Sequence, residues 1–178
     1  PCEALAREWI GWIMMYSSGT TGRPKGIVRA EPQGPVADGR EPTWVASRRI
    51  FDFGPDMVYL CTAPLYHAAP LTFSMATQFF GGTVVFMEKF DAAASLAAIE
   101  RFRVTHSQWV PTMFVRLLKL TQLERQAHDL SSHRVAIHAA APCPVEVKHR
   151  MIDWWGPMLR EYYGGSEGIG NTYIDSAD

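Results

Sequence analysis

Tyr16-Ser17-Ser18-Gly19-Thr20-Thr21-Gly22-Arg23-Pro24-Lys25-Gly26 is the stretch on which the reading of this chain turns. Ser17, Ser18, Thr20 and Thr21 sit among Gly19, Gly22 and Gly26, and Lys25 lies near the far end. The glycines let the backbone curl closely, through φ > 0 where needed. Successive N–H groups in such a curl turn inward and form an anion-binding nest. The hydroxyls add donors, and Lys25 adds a compact positive charge suited to phosphate oxygens. The stretch asks for a polyphosphate. It is not a Walker A loop, which needs four residues between its glycines and a Lys followed by Ser or Thr. Here two residues separate Gly19 from Gly22, Gly26 follows Lys25, and Pro24 disfavours helix at Arg23.

Outward from this loop, bulk properties narrow the class. A chain of 178 residues points to one domain with enough length to bury a core. Its 47% hydrophobic and 20% charged content is that of a globular protein. A formal net charge of −1 gives no electrostatic case for nucleic acid or an acidic membrane surface. No apolar run approaches the length of a membrane span. Cys2, Cys61 and Cys143 lie far apart and form no Cys-x-x-Cys pair, which argues against a disulfide framework or zinc ribbon and favours the cytoplasm. The histidines show no metal-ligand spacing.

Along the chain, 12–16 is a short apolar run, expected as a buried strand that delivers the loop, with 26–29 returning as a hairpin. Residues 31–42 form a Pro- and Gly-rich surface loop. A helix over 43–53 follows, with Thr43 as N-cap and Gly54-Pro55 as stop. Strands are expected at 57–62, 83–87, 106–110, 135–139 and 159–163. Helices are expected at 71–80, closed by Gly81-Gly82, at 91–102, at 111–120, and from Pro144 to about 155. Strands alternating with helices give an α/β fold with a mostly parallel sheet flanked by helices. In such sheets ligands collect beyond the carboxyl ends of strands. The loops at 17–26, 63–67, 139–144 and 164–167 are then expected to share one cleft.

Tyr16 to Gly26 resembles the phosphate loop of the adenylate-forming (AMP-binding) enzymes, among them the acyl-CoA synthetases and fatty-acid-CoA ligases. Pro64-Leu65-Tyr66-His67 resembles their aromatic-histidine block. Tyr163-Gly164-Gly165-Ser166-Glu167 resembles their Tyr-Gly-x-Thr-Glu block, with serine for threonine. Ala139-Ala140-Ala141-Pro142 is similar to their Gly-Ala-Ala-Pro turn, with Ala139 at the glycine position. The resemblance implies a two-step reaction. A carboxylic acid, here a fatty or other apolar acid, attacks the α-phosphorus of ATP to give acyl-adenylate and pyrophosphate, and coenzyme A then takes the acyl group. By the same resemblance Ser17, Ser18, Gly19, Thr20, Thr21, Gly22 and Lys25 hold the β- and γ-phosphates. Ser166 contacts the α-phosphate and Glu167 ligates Mg²⁺. Tyr163, with Gly164 beside it, stacks on adenine opposite Ala140, Ala141 and Pro142. His67 lies beside the carboxylate, and Lys25, His67 and Glu167 are the catalytic set. Trp109, at a strand end, is either a wall of the acyl tunnel or core packing.

The resemblance further implies that residues 1–178 are a central fragment of the family's large domain. The amino-terminal part, the ribose-binding acid and the C-terminal lid domain with its lysine are expected to lie elsewhere. Weak or no catalysis is expected of the chain by itself. Two other readings compete: an ATP-binding module without chemistry, and a phosphotransferase, disfavoured by the absent Walker geometry. The resemblance is compatible with peripheral membrane contact through an apolar substrate.

Overall fold

The computed structural model describes residues 13–17, 22–28, 34–35, 38, 42–165, 167 and 170–176. In chain order the elements are β1 (Met15–Ser17), β2 (Lys25–Ile27), α1 (Pro42–Phe51), β3 (Val58–Cys61), α2 (Ala68–Phe79), β4 (Thr83–Phe86) and α3 (Ala92–Arg101). Then come β5 (His106–Trp109), α4 (Pro111–Leu118), α5 (Gln122–Gln126), β6 (Val135–His138), α6 (Val145–Trp155), β7 (Leu159–Gly164) and β8 (Asn171–Asp175). β1 and β2 form an antiparallel hairpin. The other six strands make one sheet in the order β4-β3-β5-β6-β7-β8, parallel from β4 to β7 and antiparallel at β8.

Period-2 alternation in the strands assigns each residue to a layer. Leu60 of β3 and Ala136 of β6 join a core with Leu96 and Ile99 of α3, Phe114 and Leu117 of α4, and Met151 and Trp155 of α6. Their neighbours Tyr59, Cys61, Val135 and Ile137 join the opposite core, with Trp44 and Phe51 of α1 and Phe73 and Ala76 of α2. The sheet is therefore the middle of three layers, with α1 and α2 on one face and α3, α4 and α6 on the other. Each Leu or Ile fully buried in these layers contributes about 1.5–3 kcal/mol.

Local chemistry sets the element ends. Asp91 caps α3, its side chain accepting from Ala94 N–H at 2.8 Å. α2 ends in a Schellman motif: Gly82 N–H donates to Thr77 O, Gly81 N–H donates to Gln78 O, and Gly81 takes φ +83°. α1 begins at Pro42, so Thr43 is inside the helix instead of capping it; the Ser47 hydroxyl donates back to Thr43 O. Proline at a first helical position has no N–H left unpaired, which explains the shift. α1 stops at Asp52, with φ 59°, before Gly54 is reached.

Two further expectations need correction, and two elements were not expected. The run before the phosphate loop is not a buried strand of the main sheet: β1 pairs with β2, and Met14 and Tyr16 are 52% and 66% exposed. β4 is a half-exposed edge strand and not a buried one, with Phe86 exposed. α5 was not expected, although its capping box, Thr121 and Glu124 exchanging hydrogen bonds, is written in the sequence. β8, read as nothing in particular, pairs with β7 along five residues.

β5 is central and fully buried, yet its sequence is His-Ser-Gln-Trp. Each polar side chain finds a partner, as burial requires. His106 Nε2 lies 3.0 Å from Phe51 O. A carbonyl only accepts, so Nε2 carries the proton and Nδ1 faces the Thr105 hydroxyl as acceptor. Ser107 Oγ accepts from Trp109 Nε1–H at 2.6 Å and meets His133 Nε2 at 2.6 Å. The Tyr59 hydroxyl donates to Gln108 Oε1.

Candidate active site at the carboxyl edge of the sheet

Because β3, β5, β6 and β7 run parallel and in register, the segments that follow them leave by the same edge. Ala63 to His67 follows β3, Pro111 opens α4 after β5, Ala139 to Pro144 follows β6, and Gly165 and Glu167 follow β7. Three of the four segments expected to share a cleft are thus brought to one edge. The fourth is anchored on the separate hairpin.

In that hairpin Ser17 pairs with Lys25, so the phosphate-loop ends of the two strands are held together. Ser18, Gly19, Thr20 and Thr21 lie outside the described residues, as does Ser166. Gly22 adopts φ +87°, with nothing within 4 Å of where a Cβ would stand. That is the left-handed turn the sequence asked of it. Gly26 serves another purpose: a Cβ there would sit 2.6 Å from Met14 Cε. Lys25 is exposed.

His67 is the N-cap residue of α2, with φ −91° and ψ 148°; its carbonyl accepts from Leu71 N–H while its side chain makes no capping bond. The ring is exposed and stands 4.6 Å from Tyr66, centroid to centroid. Tyr66 is 78% exposed and Leu65 is exposed beside it. The block is a rim of apolar surface with one imidazole, not part of the core.

Tyr163, near the end of β7, is 80% exposed, so its ring is not core packing. Gly164 leaves room for its neighbour: a Cβ there would stand 1.8 Å from Oδ1 of the exposed Asn171 across the β7–β8 pair. Glu167 is exposed, in a turn just past Gly165. No group of three or more His, Cys, Asp or Glu able to hold a metal occurs among the described residues. A single exposed carboxylate does suit Mg²⁺, a hard cation that keeps several waters and takes one or two carboxylates plus phosphate oxygens.

The Ala139 turn resolves a question of backbone shape. Ala139 is buried, and the left-handed residue is Ala140, with φ 74°. A Cβ at Ala139 is accommodated, and the strain, about 1–2 kcal/mol for an L-residue there, falls on Ala140. Ala140, Ala141 and Pro142 are all exposed. Beneath the turn His138 is fully buried, edge-on to Phe114, with neither ring nitrogen hydrogen-bonded among the described residues. Burial pushes its pKa down to about 4; Glu161 opposes that shift and Lys148 reinforces it. Lys148 of α6 and Glu161 of β7 form an ion pair close by, which ties the helix after the turn to the strand that carries Tyr163. Trp109 is core: it is 1% exposed and packs against Phe90, Phe114 and Trp155. Sequence reasoning passed over His138, Lys148 and Glu161, since an isolated His before three alanines and two charges thirteen residues apart carry no spacing signal.

The fold is shared with known proteins. Feruloyl-CoA synthase of an Amycolatopsis species is 35% identical over 158 residues, covering 87% of this chain and 30% of that protein. The structure of ATP-bound MatB from Rhodopseudomonas palustris superposes with a TM-score of 0.76 at 28% identity, over 93% of this chain and 31% of that one. O-succinylbenzoate coenzyme A synthetase from Bacillus subtilis, in complex with ATP and magnesium ion, gives 0.74 at 25% identity, over 92% and 32%. The chain therefore spans about three tenths of the length of these relatives. A family model described as AMP-binding enzyme matches residues 10–178, and the chain belongs to that family.

Proposed function

We propose that the protein carrying this chain joins a carboxylic acid to coenzyme A in two steps, with an acyl-adenylate between them, and that residues 1–178 are a central part of its large domain. The observation that carries the reading is the gathering of the His67 rim, the Ala140 turn, Tyr163 and Glu167 at one sheet edge. Relatives and neighbours whose names include CoA synthase and bound ATP with magnesium support it.

In the first step an acid oxygen attacks the α-phosphorus and pyrophosphate leaves. The chain's task is to hold two anions in line and to balance the charge that develops. His67, at the head of α2, is placed to orient the carboxylate. Lys25 and the backbone and hydroxyls of residues 17–22 hold the β- and γ-phosphates, and Ser166 holds the α-phosphate. Tyr163 stacks on adenine against Ala140, Ala141 and Pro142, with Gly164 giving the backbone its close approach. Glu167 would hold Mg²⁺, which would supply neutralisation of phosphate charge. The exposed Leu65 and Tyr66 favour an apolar acid, aryl or fatty. We place the protein in the cytoplasm, where thiols such as free Cys61 and Cys143 stay reduced. Among the described residues no helix is long and apolar enough to cross a membrane.

The test is ATP–pyrophosphate exchange by the full-length protein with a panel of carboxylic acids. Acid-dependent exchange supports the ligase, and ATP binding without exchange supports a non-catalytic module. Product analysis with and without coenzyme A then identifies the acceptor.

A further inference from the structure

The chain lays β4 on one side of β3, then returns to lay β5 on the other. In open α/β sheets the ligand crevice falls at such a reversal. On the face covered by α1 and α2, the last rung at this crossover is Cys61, Gln108 and Ile137, in register on β3, β5 and β6. Cys61 and Ile137 are suited to an interior, whereas Gln108, 6% exposed, is an amide in the middle of an apolar wall.

Its polar atoms are held in place. The Tyr59 hydroxyl donates to Oε1 at 3.1 Å, and the Thr62 hydroxyl donates to the backbone carbonyl. With Oε1 turned to Tyr59, the side chain has its NH₂, a pair of donors, to offer on its other side. Ser74 of α2 adds a second polar group on this face. It is buried beside Cys61, with its hydroxyl in reach of the Cys61 sulfur. Around them Phe73, Tyr59 and Tyr162 supply apolar surface.

We infer that Gln108 is a specificity-determining residue, whose NH₂ donates to an oxygen acceptor (hydroxyl, ether or carbonyl) carried by the acyl group away from its carboxylate. The inference rests on the ligase reading, in which the carboxylate is held at His67. His67 heads α2, and α2 packs over this face against β3. The inference requires an acid held at His67 to extend along α2 into the crossover, with its distal end at the Gln108 rung. A site that holds a buried donor rejects an analogue lacking the matching oxygen far more strongly than a purely apolar pocket rejects a change of one methylene. Tyr59 is a positioning residue, fixing which end of the amide faces the ligand.

The experiment uses the full-length protein, ATP–pyrophosphate exchange and matched acids: cinnamate with 4-hydroxycinnamate, and decanoate with 10-hydroxydecanoate. The expected result is at least a tenfold higher kcat/KM for the oxygenated acid in one pair. Gln108→Met, which keeps the length of the side chain and removes its donors, brings that ratio to near parity. Tyr59→Phe, which removes one hydroxyl and serves if the first variant does not fold, lowers the ratio in the same direction. Exchange that proceeds with no preference in either pair, or a preference unchanged in both variants, overturns the inference and leaves the ligase intact. Absence of exchange with every acid overturns the ligase reading and this inference together.

Discussion

At the scale of single residues, the candidate site depends on two kinds of position: side chains that offer charge and glycines that get out of the way. Glu167 is the first kind. Replacing it with Gln removes the anionic ligand and keeps the shape, and the expected loss in exchange rate is on the order of a hundredfold, with a raised Mg²⁺ requirement, read by metal titration of the full-length protein. Gly164 is the second kind. Gly164→Ala puts a methyl where Oδ1 of the exposed Asn171 now lies, so that amide must turn aside, and the expected cost is about 0.5 kcal/mol. Asn171→Ala in the same chain removes the obstacle, so the double variant recovers most of the urea midpoint lost by the single one. Equal midpoints for the single and double variants would refute the contact.

Helices and strands are where sequence reading was strongest. Asp91 was legible as the start of α3 because an N-cap acid before an Ala-rich run has one local meaning, and the structure has its carboxylate on Ala94 N–H. Asp91→Ala is expected to cost about 1 kcal/mol, measured as a shift in thermal or urea midpoint. The strands β3 and β6 were legible as apolar runs, and β5 by its place between two helices. β8 was not legible: Asn171 to Asp175 is short, mostly exposed and without period-2 alternation, and only the β7 edge beside it makes it a strand. The run before the phosphate loop misled for the opposite reason. Its apolar residues suggested burial, yet Met14 and Tyr16 are exposed in a hairpin of its own. The motif loops were read from their residue types. The Gln108 rung could not be, because it joins three strands far apart in sequence and register is a property of the folded sheet.

Across the molecule as a whole, three buried histidines couple stability to pH. Desolvation is the leading cause in each: it lowers His106 and His138 to about 4 and His133 to about 3. Arg134 and Arg160 lower His106 further against Asp52, and His106 in turn lowers His133. The folded state therefore keeps these rings neutral at pH values where the unfolded chain, with its ordinary pKa of 6.5, binds protons. Their contribution is complete above pH 6.5 and is lost as pH falls, down to about 4 for His106 and His138 and about 3 for His133. Within that window each ring changes stability by about 1.4 kcal/mol per pH unit. Denaturation midpoints taken between pH 7 and pH 4.5 are expected to fall steadily. His106→Asn, which can still donate to Phe51 O, is expected to flatten the slope.

The position of β5 bears on how the chain is made. A ribosome releases β3 and β4 well before the strand that fills the gap on the other flank of β3, so that flank waits, unzipped, while more than forty residues emerge. Most central strands of parallel sheets are greasy, and one that emerges late can clump before it docks. A latecomer spelled His-Ser-Gln-Trp is a poor seed for clumping, and it turns cohesive only when Tyr59, Thr105, His133 and Phe51 are in place to receive its polar groups.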